Sequence, residues 1–116
     1  MHELGIMTGV VESVEQVARE AGAISVLKVR LSVGVMTEAI ADALEFSFDI
    51  LKEGTLLEGA ELDIHMVEPR SQCLECGAEF NHDRFHVCCP ECGSALTKLL
   101  EGREHTIDSI EVDLPD

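Results

Sequence analysis

Two short stretches of this sequence carry almost the same chemistry: CLECG at residues 73–77 and CPECG at 89–93. Thiolates two residues apart can face a single ion, and a glycine after the second cysteine permits the tight turn that aims backbone N–H groups at sulfur. Four such thiolates, Cys73, Cys76, Cys89 and Cys92, make a closed tetrahedral site. A closed site leaves no position open for water, so the expected role is structural: a zinc staple, with the about 10–16 kcal/mol of apparent binding energy found in zinc-folded peptides. Cys88 stands outside both knuckles, because Cys89 alone completes the second copy.

The paired knuckles also resemble rubredoxins, in which four thiolates hold one iron for electron transfer. Those proteins surround the iron with aromatics at a longer separation of the pairs. This segment offers only Phe80 and Phe85, which favours zinc. His82 and His86 have H-x-x-x-H spacing, but only five residues separate Cys76 from His82, a cramped loop for a finger, and both read as solvated loop histidines. His65 and His105 read the same way. The deaminase pattern of H-x-E with P-C-x-x-C is absent, so catalytic zinc is disfavoured.

A second candidate centre is the start of the chain, MHE. An initiator methionine is normally kept before a large side chain, so the expected terminus is Met1 with a free amine. The Met1 amine, the His2 and Glu3 amides and the His2 imidazole would close adjacent chelate rings into a planar nitrogen set. Square-planar nitrogen suits Ni(II) or Cu(II) rather than zinc. On its own, however, His2 reads first as a solvated terminal side chain.

Charge excludes a large class of partners. Eight lysines and arginines against 23 acids give a net charge of −15, which repels phosphate backbones and anionic lipid heads. The cysteine-bearing segment is itself net acidic and lacks a stacking surface, so DNA and RNA are disfavoured. Apolar runs are short and broken by charge, and no signal-peptide pattern opens the chain, so the expected location is cytoplasmic. In a reducing compartment, cysteines in close pairs read as metal ligands rather than disulfides.

The elements that must position these groups follow from periodicity. Among the 116 residues, 46% hydrophobic, one ordinary core is available. Leu4, Met7, Val11, Val14 and Ala18 mark an amphipathic helix closed by Gly22. Leu27, Val29, Leu31 and Val33 alternate with polar residues as a strand. Thr37 is placed to cap a second helix whose inward stripe is Ile40, Leu44, Phe48 and Leu51. Leu62, Ile64 and Met66 mark a second strand, and Ile110, Val112 and Leu114 a third. The expected fold is α+β: two helices packed on a three-stranded mixed sheet, with an inserted zinc-ribbon module. Residues 1–69 plus 105–116 form the parent domain and 70–104, with little regular period, the insertion. A helix between the first two strands suggests that they are parallel.

Together, MHE at the start, the helix-strand-helix-strand half, the two C-x-x-C knuckles and the closing IEVD strand resemble the HypA/HybF family of hydrogenase maturation nickel metallochaperones. The resemblance covers the whole chain. It implies no enzyme but a carrier that delivers Ni2+ as cargo to the [NiFe]-hydrogenase large subunit, working with a nickel-handling maturation GTPase, and in some members supplying urease through its accessory proteins. It implies nickel ligands at Met1, His2 and Glu3, and structural Zn2+ at Cys73, Cys76, Cys89 and Cys92, in a monomer or homodimer without membrane or nucleic-acid partners. Some relatives place an acid near the start of the second helix, where this chain has Ile40 flanked by Glu38 and Asp42. The readings from other classes are a rubredoxin-like iron electron carrier and a zinc-ribbon interaction module without nickel.

Overall fold

In the computed structural model, which describes residues 3–116, the first amphipathic run is helix α1, Glu3–Glu20. Its inward stripe is Met7, Val10, Val11, Val14 and Ala18. Leu4, expected in that stripe, is 56% exposed, and Glu3 is buried in its place. The helix ends in a Schellman motif: the Gly22 amide donates to the Arg19 carbonyl at 3.0 Å and the Ala23 amide to the Ala18 carbonyl at 2.9 Å. Gly22 sits at φ +75°, a conformation that glycine adopts without steric cost.

Strands β1 (Ser25–Gly34), β2 (Glu61–Val67) and β6 (His105–Asp113) form one sheet in the order β2-β1-β6. The ion pairs Lys28–Glu61 and Arg30–Asp63 advance in step along β1 and β2, as parallel neighbours require. On the other side the Ile24 amide reaches the Asp113 carbonyl at 2.7 Å while the Gly34 amide reaches that of Glu104 at 2.7 Å, so β1 and β6 run in opposite directions. The sheet is therefore mixed, and its third strand is supplied after the cysteine-bearing segment, as the periodicity predicts.

Helix α2, Ala41–Leu51, buries Leu44, Ser47 and Phe48 and packs against α1. Two details differ from the sequence expectation. Thr37 is not a cap: it lies in a 3-10 turn, Val35–Thr37, and its hydroxyl donates to the Gly34 carbonyl at 2.7 Å. Ile40 occupies the N-cap position and is 61% exposed, outside the inward stripe. In β1, Val26 faces inward and Leu27 outward, so the alternation slips by one residue before Val29, Leu31 and Val33. Leu114 lies beyond β6 and is exposed.

Close contacts divide the chain into two units. The first comprises the chain up to Ser32, Ala39–His65 and Thr106–Asp116, and its interior is Met7, Val14, Ala18, Val26, Val29, Leu31, Leu44, Phe48 and Leu57. Full burial of each large side chain contributes about 1.5–3 kcal/mol. The second comprises Val33–Glu38 and Met66–His105. It holds strands β3 (Arg70–Cys73), β4 (Glu79–Asn81) and β5 (Thr97–Glu101), antiparallel in the order β4-β3-β5. Within this unit, the Met36 amide donates to the Gly102 carbonyl at 2.8 Å, and a Cβ at Gly34 would lie 2.0 Å from that carbonyl oxygen. Only glycine permits so close a backbone crossing.

Candidate metal centre

Each C-x-x-C-G stretch folds onto itself in the same way because the same backbone groups are available at the same spacing. In the first knuckle the Gly77 amide donates to the Cys73 carbonyl at 3.0 Å and the Cys73 amide to the Ala78 carbonyl at 2.8 Å. In the second the Gly93 amide donates to the Cys89 carbonyl at 2.8 Å and the Cys89 amide to the Ser94 carbonyl at 2.9 Å. Gly77 and Gly93 take φ of +80° and +76°, which turns the next amides toward sulfur. Amide donors reach the sulfurs at 3.4 Å, from Cys76 to Cys73 and from Glu91 to Cys89.

The two knuckles face each other. All four Sγ atoms of Cys73, Cys76, Cys89 and Cys92 lie within 4.8 Å of one another, and the cross-knuckle pairs Cys73–Cys92 and Cys76–Cys89 are each 3.6 Å apart. Thiolates at ~2.3 Å from a central zinc would be separated by ~3.8 Å along the edges of a tetrahedron. The residues present therefore fit the ion. Cys73 and Cys89 are buried, and Cys76 and Cys92 face solvent. Cys88 is exposed and lies outside the cluster.

Electrostatics show what the cluster needs. The amide of Cys76, followed by that of Glu75, draws the Cys73 thiol down to about 6. The Ser94 amide also draws on Cys92, but the Cys73 thiol, burial and the remaining cysteines outweigh it and push Cys92 up to about 12. Crowded sulfurs ionise readily once and resist the last ionisation. A divalent cation removes that resistance, since thiols that coordinate it are held as thiolates.

The aromatics do not enclose the sulfurs. Phe80 packs against the His82 ring at 5.5 Å, and Phe85 is 77% exposed beside the Arg84 guanidinium. The four histidines other than His2 are spread out. His65 and His105 are exposed. His86 pairs with Asp83 at 2.8 Å, which lowers the Asp83 carboxyl, helped by the Phe85 amide. His82 accepts the hydroxyl of Ser71 at Nε2, 2.8 Å away, and its Nδ1 is 2.5 Å from the Asp83 carbonyl. This Ser71–His82 pair went unnoticed in the sequence, where eleven positions separate the two.

Of the MHE group, Met1 and His2 lie outside the described residues. Glu3 is the first residue of α1, only 6% exposed, and its carboxylate accepts the Ile40 amide at 3.1 Å. It is thus no solvated helix-end acid. The carboxylate meets an amide at the N-cap of α2, where helix geometry leaves donors without intrahelical acceptors. The signal available in the sequence was the missing cap itself, since Ile40 has no side-chain oxygen to supply one. Asp42, in the first turn of α2, is exposed, and Glu38 adopts φ +65°, unusual for a residue with a side chain.

Comparison with known proteins covers the whole of this arrangement. A family profile described as "Hydrogenase/urease nickel incorporation, metallochaperone, hypA" matches residues 1–112. A hydrogenase maturation factor HypA from Moorella thermoacetica is 40% identical over 111 residues, covering 96% of this chain and 98% of the relative. One from Aquifex aeolicus is 35% identical over 114 residues, covering 98% and 99%. The solution structure of the Ni metallochaperone HypA from Helicobacter pylori has the same fold, with a TM-score of 0.69 at 21% identity over 99% of this chain and 100% of that one.

Proposed function

The chain belongs to the HypA family of hydrogenase and urease nickel-incorporation metallochaperones, and from that premise we propose that it carries Ni2+ as cargo at its first three residues and holds a structural Zn2+ in the four-cysteine cage. The family match over nearly the whole chain, which takes in both MHE and the two knuckles, carries the reading. Zinc is the resident ion, held by Cys73, Cys76, Cys89 and Cys92, and supplies a crosslink rather than a reaction centre, because four thiolates fill its coordination. Nickel binds through the amine of Met1, the amides of His2 and Glu3 and the His2 imidazole, with the Glu3 carboxylate engaged at the start of α2. Such a terminal site needs no pocket, and its metal can leave.

The recipients are the [NiFe]-hydrogenase large subunit and the nickel-handling maturation GTPase, with urease accessory proteins as a second route. The chain's charge of −15 directs docking to an apolar or mixed surface rather than a basic patch. No helix among the described residues is long and apolar enough to cross a membrane; we place the protein's work in the cytoplasm with these partners. Elemental analysis of untagged protein after nickel loading tests the reading. One tightly held zinc and one nickel removable by a weak chelator are expected. Zinc without nickel would leave a zinc-ribbon interaction module, and visible absorption from iron would make the cage that of an electron carrier. Pull-downs from hydrogenase-expressing cells should recover the GTPase or the large subunit; recovery of nucleic-acid machinery alone would contradict the partner assignment.

A further inference from the structure

Acids outnumber bases so heavily in this chain that most cations have an acidic partner. Arg19 pairs with Glu15, Lys28 with Glu61, Arg30 with Asp63, Lys52 with Asp49, and Arg70 with both Glu79 and Glu101. Arg84 lies over the Phe85 ring. Among the described residues, Lys98 and Arg103 make no ion pair, and both line one groove of about 430 Å³ in the second unit. Its other walls are Met36, Val87 and Leu99 on the apolar side and Ser71, His82 and Thr97 on the polar side.

The neighbouring polar groups are already engaged. Ser71 donates to His82 and Thr97 donates to the Val87 carbonyl at 3.2 Å, so the hydroxyls have spent their hydrogens. The local acids are engaged too: Arg70 holds Glu79 and Glu101, the Gly102 amide donates to Glu104 at 2.7 Å, and Asp83 accepts from His86 and from two amides. What the groove still offers is two positive side chains and an apolar wall.

We propose that this groove binds a phosphate-class oxyanion, gripped by Lys98 and Arg103, with the rest of a small phosphate ester lying against Met36, Val87 and Leu99. Arginine presents a planar fork to two phosphate oxygens and lysine a point charge to a third, a division that suits a tetrahedral dianion better than a single carboxylate. The groove is too large for phosphate alone, which is why the ligand is an ester. Long polyanions are excluded by the charge of −15 on the chain as a whole. The site shares no side chain with the sulfur cluster or with MHE, so it stands or falls independently of the nickel reading.

The test is an NMR titration of the full-length, zinc-loaded, 15N-labelled protein with inorganic phosphate at constant ionic strength, sodium chloride balancing the salt. Saturable shifts are expected at the amides of His82 and of residues 97–103, in the millimolar range. Lys98→Gln and Arg103→Gln should each weaken them about tenfold, the effect of losing one charge-assisted contact, with zinc content and the remaining spectrum unchanged. Shifts that never saturate, or that persist at native affinity in both variants, would overturn the proposal. So would acetate titrating as well as phosphate, since that makes the groove a carboxylate site.

Discussion

The two units of this chain solve the same problem by opposite means. The first excludes water from a stripe of Met7, Val14, Leu31, Leu44, Phe48 and Leu57, drawn from two helices and a sheet. In the second, the buried side chains are Val33, Pro69, Ser71, Cys73 and Cys89, and two of these five belong to the four-cysteine cluster. Its strands are three to five residues long, too short to bury much on either face. Segments of that size are held together by disulfides or metal. One unit is a core, the other, on the proposed reading, a crosslink, and changes that attack one should spare the other.

The largest effect should come from removing the crosslink. Strong chelation, or Cys73→Ser or Cys92→Ser, is expected to abolish ordered structure across 70–104 while the helical signal of the first unit persists, whereas Cys88→Ser keeps zinc and fold. Zinc analysis with amide dispersion by NMR reads both. Equal zinc loss from Cys88→Ser and Cys89→Ser would break the ligand assignment. The reciprocal change is Phe48→Ala, which empties a fully buried site. It should cost about 3–5 kcal/mol in thermal unfolding of the helices and leave zinc stoichiometry intact.

Smaller effects sharpen the boundary. Gly34→Ala forces a methyl into the Gly102 carbonyl and should cost about 1–3 kcal/mol, with the shift largest at amides of 33–38 and 102–104. Glu3→Ala strips the Ile40 amide of its carboxylate and should lower stability by about 1–2 kcal/mol. His2→Ala should leave stability unchanged, because residues at a chain terminus generally contribute little to folding. The least effect is electrostatic. Hydrogen bonds from Ser32 first, then Thr106, hold the Asp108 carboxyl below its ordinary value of 3.8. A carboxyl lowered in the folded state stabilises it above the unfolded value and loses that advantage as pH falls through the folded one. The stability difference between native protein and Asp108→Asn, followed by urea unfolding, should therefore be present at pH 7 and fade below pH 4.

Legibility in the sequence followed how local the determining interactions are. The knuckle turns were readable, since the bonds that close each one, from Cys73 to Ala78 and from Cys89 to Ser94, span six residues. The helices and the three-stranded sheet were readable from periodicity, including the strand returned after the cysteines. Errors fell where a distant partner overrides local pattern. Glu3 is buried where an amide 37 positions away donates to its carboxylate, while Leu4 is left exposed. Strands β3 to β5 are too short to show a period, and nothing local announces that 33–38 joins them through the Gly34–Gly102 crossing.

The central claim is that nickel is held by the chain terminus itself, so position matters as much as residue type. Two residues added before Met1 move the same side chains inward without changing any of them. Calorimetric nickel titrations of native and extended protein, with the ultraviolet-visible band of planar Ni(II) followed in parallel, test this directly. The account predicts that the extended protein loses nickel binding and its band while zinc content and fold stay the same. Nickel bound by the extended protein as tightly as by the native one would contradict it, and would move the ligands to His65, His82, His86 or His105.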